Sequence, residues 1–333
     1  MRAVRVVGPG GIEVTDVPEP NDDPGLLVRA HQVGICGTDV KILAGKIPVD
    51  YPRIMGHEMV GEIVSAPSGS PYAIGTRVLV DPGVACGWCD LCRAGRFNIC
   101  RNGGLMGRDV DGVFTEYATV PVNRVVAVPD IVSDRASGVL QVLGTCIHAV
   151  KTVHSFPGQV AIVIGLGVAG QLITQLLTLE GVTVIGTTRS EWKRRLALEC
   201  GAVSAVAPAE VRQVLDDLTE GRGPDLVVEA VGTEATLAES IELAAIGGEV
   251  LVYGTLTSGN RGLPYYHLYH KELTLYNPRA AVVGDYADGV ALAARGALSL
   301  EPIVTHVLEL EEAAKAFELV HDPASMKVLM RVA

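Results

Sequence analysis

The chain has 333 residues, a net charge of −11 and a hydrophobic content of 48%, which is enough for about two domains. The acidic balance and the lack of any Lys/Arg-rich run argue against nucleic acid or an anionic membrane as a partner. The start of the chain does not resemble a signal peptide, no apolar run has the length of a membrane span, and the cysteines do not suggest a disulfide scaffold. We therefore expect a cytoplasmic protein.

The first 130 residues are predicted to be β-rich. Short apolar runs, such as residues 3–7, 26–30, 60–64 and 77–80, are separated by glycine, proline and aspartate. This pattern is typical of short strands joined by tight turns.

Two motifs in this β-rich part contain residue types that bind zinc. Cys36 stands in Gly-Ile-Cys-Gly-Thr-Asp (34–39) and His57 in Gly-His-Glu-Met-Val-Gly (56–61). A catalytic zinc has three protein ligands and one open position, and a thiolate and an imidazole both suit it. Alone, Cys36 would be read as a small buried residue and His57 as a structural histidine. The cysteine cluster that follows favours a metal site for both.

Residues 86–100 form the most distinctive pattern in the chain. Cys86, Cys89, Cys92 and Cys100 have the spacing C-x2-C-x2-C-x7-C. Four thiolates at this spacing can surround one tetrahedral zinc ion. The alternative is a group of small core residues or a disulfide pair. The close spacing favours a structural zinc.

From about Ser133 the pattern becomes helical, and from residue 160 to 280 strands alternate with helices. The predicted strands are 160–164, 182–186, 203–206, 225–229, 249–253 and 273–276, and the predicted helices are 171–180, 191–199, 209–219 and 234–245. Right-handed crossovers between such strands make a doubly wound parallel sheet. An amphipathic helix over 310–320 and a strand over 326–332 are predicted to follow.

The first of these strands runs into the glycine motif G-x-G-x-x-G at Gly165, Gly167 and Gly170. A strand, this turn and a helix together predict a dinucleotide site, with the pyrophosphate at the helix N-terminus. Gly165 is expected to make the turn, Gly167 to admit the pyrophosphate, and Gly170 to let the helix pack closely on the strand.

The residues after the second predicted strand favour NADP over NAD. An acidic residue here would bind the ribose hydroxyls of NAD, but Thr188, Arg189 and Ser190 stand at this point instead. A hydroxyl and a guanidinium can accommodate a 2′-phosphate, and Lys193 adds positive charge nearby. The expected cofactor-binding set also includes Val168, Val231, Gly232, Tyr253 and Gly254.

In this order, the motifs resemble the zinc-containing medium-chain dehydrogenase/reductase family, which includes alcohol, sorbitol and threonine dehydrogenases. The resemblance covers essentially the whole chain. It implies a GroES-like catalytic domain over residues 1–150, completed by 285–333, and a Rossmann domain over 151–284. It also implies an active site in the cleft between them and a homodimer or homotetramer.

The resemblance implies hydride transfer between NADP(H) and a secondary alcohol, polyol or sugar. Cys36 and His57 match the first two ligands of the family's catalytic zinc, which acidifies an alcohol or polarises a carbonyl. Glu58 matches a carboxylate that supports the metal or exchanges onto it. Thr38 matches a hydroxyl that starts a proton relay. Lys41 stands where the family often has a relay histidine.

The third catalytic ligand departs from the family pattern. Gln141 stands where polyol dehydrogenases have glutamate, as in some sugar dehydrogenase relatives. An amide oxygen is neutral, which predicts weaker zinc retention and a stronger Lewis acid. Cys146, Glu58 or water remain alternatives for this position, and His148 is expected to be structural.

Two other functions remain open from the sequence. One is an NAD-dependent dehydrogenase of the threonine or polyol type. The other, from a different class, is a zinc-poor binding protein without catalysis. The presence of Cys36, Thr38 and His57 argues against the second.

Overall fold

The computed structural model describes residues 1–20, 25–256 and 262–332. The chain divides into two compact units: unit 1 is Met1–Thr145 with Ala280–Ala333, and unit 2 is Cys146–Arg279. The boundaries expected from the sequence, after residues 150 and 284, lie a few residues further along the chain. Among the described residues, no helix is long and apolar enough to cross a membrane.

Strands dominate the first chain segment of unit 1, its second segment contains both strands and helices, and strands and helices alternate in unit 2. In chain order the strands are β1 (Arg2–Gly8), β2 (Gly11–Asp16), β3 (Leu26–Gly34), β4 (Arg53–Ile54), β5 (Met59–Ser65), β6 (Arg77–Val80), β7 (Gly83–Val84), β8 (Gly104–Leu105), β9 (Tyr117–Val120), β10 (Val125–Ala127), β11 (Val160–Ile164), β12 (Thr183–Thr187), β13 (Ser204–Val206), β14 (Leu226–Glu229), β15 (Glu249–Val252), β16 (Thr274–Tyr276), β17 (Val304–Glu309) and β18 (Lys327–Arg331).

The helices are α1 (Gly37–Leu43), α2 (Asp90–Arg93), α3 (Asp134–Ser137), α4 (Leu140–Val150), α5 (Val168–Leu179), α6 (Glu191–Glu199), α7 (Val211–Thr219), α8 (Glu234–Leu243), α9 (Tyr265–His270), α10 (Val283–Ala294) and α11 (Ala313–Leu319). Short 3-10 helices cover Phe97–Ile99, Val122–Arg124, Pro208–Glu210, Glu301–Ile303 and Leu310–Glu312.

The main sheet of unit 1 combines strands from both chain segments. Its order is β10-β6-β5-β3-β18-β17, and β9 also pairs with β3. The strand β3 is antiparallel to both β5 and β18, so a strand from the second segment lies beside the centre of the sheet. Alternate residues of β3, including Leu26, Val28 and Ala30, are buried in the apolar core, as the period of a strand with one face inside requires.

Unit 2 contains the predicted doubly wound parallel sheet. Its strand order is β13-β12-β11-β14-β15-β16, and all of these pairs are parallel. All five residues of β11 are buried, as expected for a central strand with helices over both faces. The chain order reverses between β11 and β14, which is where sheets of this type bind dinucleotides at their carboxyl ends.

The structure differs from the sequence prediction at several helices. The β-rich part also contains two helices that were not predicted: α1 begins directly after Cys36, and α2 lies inside the four-cysteine motif. The helix predicted from residue 171 begins at Val168, because Gly167 is its N-cap. The helix predicted over 310–320 is a 3-10 turn at Leu310–Glu312 followed by α11.

Candidate active site

Cys36, His57 and Glu58 meet at one point of unit 1. One donor atom from each lies within 4.8 Å of the others. Cys36 follows β3 and is the N-cap of α1, whereas His57 and Glu58 directly precede β5. Because β3 and β5 are antiparallel, the end of one strand lies beside the start of the other. The two sequence motifs therefore meet as predicted, although 20 residues separate Cys36 from the histidine.

Asp39 contacts both Cys36 and His57, and the sequence analysis did not select it. Its Oδ2 accepts the backbone N–H of Cys36 at 2.9 Å, and its Oδ1 lies 3.5 Å from Nδ1 of His57. Burial opposes the charged form of His57, but the carboxylate of Asp39 and the thiolate of Cys36 outweigh it and raise the pKa of His57 well above its ordinary value of 6.5. This concentration of negative charge suits a bound cation.

Glu58 forms a buried ion pair with Lys327. Lys327 Nζ donates to Oε2 of Glu58 and to the backbone oxygen of Ile35, and the side chains of Glu58 and Lys327 are each only 2% exposed. The other oxygen, Oε1 of Glu58, is buried without a hydrogen-bond partner among the described residues. A thiolate, an imidazole and this orphaned carboxylate oxygen are donors that fit a zinc ion.

Lys327 was missed in the sequence analysis, although a signal was present. It is a charged residue that opens the strand Lys-Val-Leu-Met-Arg (327–331), in which three apolar residues follow it and all but the last residue are buried. Lysine is almost never fully buried without a partner. That pattern could have predicted a buried acidic partner, but not which one.

Gln141 lies on α4 and shares a small cavity with Glu58 and Gly34. Its side chain is buried, and Nε2 donates to the hydroxyl of Tyr286 at 3.3 Å. Because the nitrogen faces Tyr286, the amide oxygen is the atom left to bind a metal. Direct ligation by Gln141 stays a prediction.

Cys146, the rival ligand, is engaged inside unit 2. Its thiol contacts the hydroxyl of Tyr253 at 3.7 Å and the backbone oxygen of Ala169 at 3.9 Å. These contacts account for its burial without a metal.

The four cysteines of residues 86–100 form a second compact donor set. Their sulfur atoms lie within 4.8 Å of one another, and the sulfurs of Cys86 and Cys100 are 3.5 Å apart. A disulfide needs about 2.0 Å, and all seven cysteines of the chain are free thiols. Partial desolvation of Cys86 opposes ionisation, but the N–H groups of Trp88 and Cys89 outweigh it and lower its pKa to about 6. Four sulfurs in this arrangement fit a structural zinc.

A buried ion pair ties this cysteine lobe, residues 83–105, to the sheet of unit 1. Arg124 Nη1 donates to Oδ2 of Asp81 at 2.7 Å, and Gly83 N–H donates to Oδ1 of the same carboxylate at 2.9 Å. The guanidinium of Arg124 also lies over the ring of Phe97, 5.2 Å from its centroid. The sequence analysis did not identify Asp81 or Arg124.

The glycine motif of unit 2 has the expected geometry. Gly165 has φ +96°, a left-handed conformation that favours glycine. A Cβ on Gly170 would lie 1.9 Å from the backbone oxygen of Gly165, so the close approach of helix and turn requires glycine there. At Gly167 a Cβ would meet no atom within 4 Å, which leaves open space for a ligand at the N-terminus of α5.

The residues expected to select the cofactor follow the carboxyl end of β12. Arg189 is exposed, and Thr188 and Ser190 beside it are half-buried. Arg194 donates to the backbone oxygens of Thr188 and Arg189, at 2.8 and 3.2 Å, and so holds the turn in shape. Lys193 stacks on the ring of Trp192, and burial lowers its pKa.

The other expected cofactor residues follow the neighbouring strands at the same edge of the sheet. Val231 and Gly232 come after β14, and Tyr253 and Gly254 come after β15. Carboxyl ends of parallel strands form the edge at which sheets of this type bind ligands.

Comparisons with known proteins agree with this geometry. The family model described as "Alcohol dehydrogenase GroES-like domain" matches residues 22–130, and the model described as "Zinc-binding dehydrogenase" matches residues 168–295. L-threonine 3-dehydrogenase from Pyrococcus horikoshii is 31% identical over 99% of this chain and 98% of its own length. The chain belongs to the zinc-containing medium-chain dehydrogenase/reductase family.

Other members of this family are similar over nearly their whole length. Sorbitol dehydrogenase from Halalkalibacterium halodurans is 27% identical over 97% of this chain and 96% of its own. The solved structure of the alcohol dehydrogenase TADH from Thermus sp. ATN1 has a TM-score of 0.93 and 30% identity over the whole of both chains. A putative zinc-binding dehydrogenase from Sinorhizobium meliloti, solved with NADP bound, has a TM-score of 0.91 and 33% identity over 99% of this chain and 98% of its own.

These matches confirm the predicted fold class, a GroES-like domain with a Rossmann-type sheet. They also place the chain among zinc-type oxidoreductases of the alcohol, polyol and threonine dehydrogenase kind.

Proposed function

We propose that the chain transfers hydride between NADP(H) and a secondary alcohol, polyol or sugar. The observation that carries this proposal is the convergence of Cys36, His57 and Glu58 within 4.8 Å in a member of this family. A zinc ion held there supplies Lewis acidity, which eases loss of the alcohol proton and polarises a carbonyl in the reverse direction.

The protein's own groups hold and orient this site. Cys36 and His57 supply two ligands, and Asp39 fixes the imidazole through Nδ1. Lys327 restrains one oxygen of Glu58, and the other is buried without a hydrogen-bond partner among the described residues. Thr38, on α1, supplies a hydroxyl that can accept a proton and pass it on.

We also propose that Gln141 is the third ligand. Its amide nitrogen is taken by Tyr286 and its cavity is shared with Glu58, which supports an oxygen directed at the metal. Glutamate at this position adds a negative charge, so Gln141→Glu should lose catalytic zinc to a chelator more slowly than the parent does. Equal rates of zinc loss would contradict ligation by Gln141.

The preference for NADP is supported by Arg189. It is exposed after β12, no acidic residue stands beside it, and Arg194 keeps the turn in place. A charge-assisted contact with the 2′-phosphate should contribute about tenfold to a hundredfold in affinity. Because this contact is the same in ground and transition states, its loss should raise KM and leave kcat unchanged.

The test compares Arg189→Ala with a control on α6, the helix that follows this turn. Arg189→Ala should raise KM for NADP about tenfold or more, and the pair Thr188→Asp with Arg189→Ile should make NAD the better cofactor. Arg195→Ala is the matched control, because Arg195 is exposed on α6 and paired with Glu191. Equal use of both cofactors by the parent, or an unchanged KM in Arg189→Ala, would refute the NADP assignment.

A second candidate is an NAD-dependent dehydrogenase of the threonine or polyol type. The similarity to the P. horikoshii and H. halodurans enzymes favours it. A panel of polyols, sugars, secondary alcohols and threonine, assayed by cofactor absorbance with NADP and with NAD, separates the two candidates.

We further propose a homodimer, or a pair of dimers, joined through the edge strand β16. Among the described strands, β16 pairs only with β15, and Leu275 on it is 38% exposed. An unpaired strand edge is a site for association. Light scattering at micromolar concentration should show that the parent is a dimer or tetramer and that the Leu275→Lys variant is a monomer. Val203→Lys beside the opposite edge strand β13 is the control, and a monomeric parent would refute the proposal.

A further inference from the structure

Glu229 is a completely buried carboxylate at the carboxyl end of β14. Its Oε1 accepts three hydrogen bonds, from the N–H groups of Val231 at 2.9 Å and Gly232 at 2.8 Å and from the hydroxyl of Thr236 at 2.7 Å. No chemistry derived so far uses this side chain. A buried carboxylate is costly unless its hydrogen bonds repay the loss of water.

The backbone of Glu229 fixes a second segment. Its backbone oxygen accepts the N–H groups of Tyr253 at 2.9 Å and Gly254 at 3.0 Å. One residue therefore holds the first turn after β14 with its side chain and the first turn after β15 with its main chain. Both turns lie at the edge of the sheet where the cofactor is expected.

The two turns that Glu229 holds also pack closely against each other and against the glycine motif. A Cβ on Gly254 would lie 2.4 Å from Oε2 of Glu229 and 2.3 Å from the backbone nitrogen of Gly232. A Cβ on Gly165 would lie 2.6 Å from Cγ2 of Val231. The two turns thus contact each other, and one of them contacts the turn that receives the pyrophosphate. A shift of Val231 would therefore also disturb the glycine turn at Gly165.

We infer that Glu229 is a positioning residue for the nicotinamide cofactor, which sets the turns Val231–Gly232 and Tyr253–Gly254 in their binding conformation before the cofactor arrives. The inference rests on the proposed function, because it takes the cofactor to bind at this edge. It adds a residue that does not itself touch the cofactor. Such preorganisation raises affinity because the loops need no ordering on binding.

The test measures cofactor binding and loop order separately. The dissociation constant of NADPH is measured from its fluorescence, without substrate, and backbone hydrogen exchange is measured over residues 230–236. Glu229→Ala should weaken NADPH binding about tenfold or more and speed exchange at the amides of Val231 and Gly232. Glu229→Gln keeps an acceptor at Oε1 and should stay within about threefold of the parent.

Glu249→Ala is the matched control. Glu249 opens β15 at the opposite, amino end of the same sheet, and its carboxylate accepts the N–H of His154 at 2.9 Å and the hydroxyl of Tyr276 at 3.1 Å. This variant loses comparable hydrogen bonds, so a general loss of stability should appear in it as well. Its NADPH affinity should equal that of the parent.

The inference fails if Glu229→Ala binds NADPH as tightly as the parent, or if Glu249→Ala weakens binding equally. It also fails if exchange quickens in Glu229→Ala while affinity is unchanged. Should Glu229→Ala not fold, Thr236→Val carries the test, because it removes one of the three donors and should weaken NADPH binding several-fold. An unchanged affinity in Thr236→Val then overturns the inference. A parent that binds neither NADPH nor NADH contradicts the proposed function itself, before any variant is compared.

Discussion

Removing the positive charge of Lys327 should strongly destabilise unit 1. In Lys327→Met, the Glu58 carboxylate stays buried at 2% exposure but loses the ammonium group bonded to Oε2. The backbone oxygen of Ile35, which accepts from the same group at 3.0 Å, also loses its donor. Breaking a buried pair from one side costs about 3–5 kcal/mol, because the remaining charge is left without compensation.

Neutralising both partners should be far milder. A charge paired in a protein interior can be replaced by a neutral pair of similar volume at little net cost. We therefore expect Glu58→Gln with Lys327→Met to recover most of the stability that Lys327→Met loses. The coupling between the two substitutions should be about 2–3 kcal/mol, the upper end of the range for residues in one network.

Calorimetry on protein stripped of metal by a chelator measures this effect without a contribution from zinc binding. A loss of about 3 kcal/mol corresponds to a fall in Tm of about 6–12 °C for a domain of this size. Lys46→Met, at an exposed lysine, should change stability by no more than about 0.5 kcal/mol. The reasoning is refuted if Lys327→Met loses as little Tm as this control. It is also refuted if the loss of stability in the double variant equals the sum of the losses in the two single variants.

Four further substitutions test other parts of the structure. Cys92→Ser should lower both the zinc content and the Tm, because structural zinc contributes folding energy. Cys36→Ser should instead abolish turnover and leave the circular dichroism spectrum unchanged. Equal losses of Tm in the two variants would show that the roles of the two sites are wrongly assigned. Arg124→Met should lower the free energy of unfolding in urea by about 3–5 kcal/mol, since it leaves the buried carboxylate of Asp81 without its partner. An unchanged urea midpoint would count against a stabilising role for this ion pair. Lys271→Met should lower the free energy of unfolding by about 1–2 kcal/mol, because Lys271 Nζ donates to three backbone oxygens at the end of α8. No loss of stability in calorimetry would show that these hydrogen bonds at the end of the helix are dispensable.

The parts of the fold and site that depend on short-range patterns could be predicted from the sequence. The parallel strands of unit 2 were found within a residue or two of their true bounds, because buried strands between turns leave a clear local signal. The donor set of Cys86, Cys89, Cys92 and Cys100 was predictable for the same reason: 15 consecutive residues contain all four.

Pairings over long stretches of chain could not be predicted. The partner of Glu58 is Lys327, which is 269 residues away, and the sequence around either residue does not indicate that the two are paired. The role of Arg194 was also hidden. Its guanidinium reaches back over the preceding turn to backbone oxygens, since helical side chains lean toward the N-terminus. Glu229 ends an apolar strand, and only the tertiary structure shows that its carboxylate holds a turn.

The position of β18 in the central sheet has a consequence for the order in which the protein is made. The ribosome releases β3 and β5, with Cys36, His57 and Glu58, long before β18, and all of unit 2 is synthesised in between. Domains fold largely as units, so unit 2 can fold while unit 1 still lacks the strand that pairs with β3. Until residues 327–331 have emerged, Glu58 has no lysine to neutralise it. The surroundings of these three candidate metal ligands are therefore complete only after the last strand of the sheet has been made.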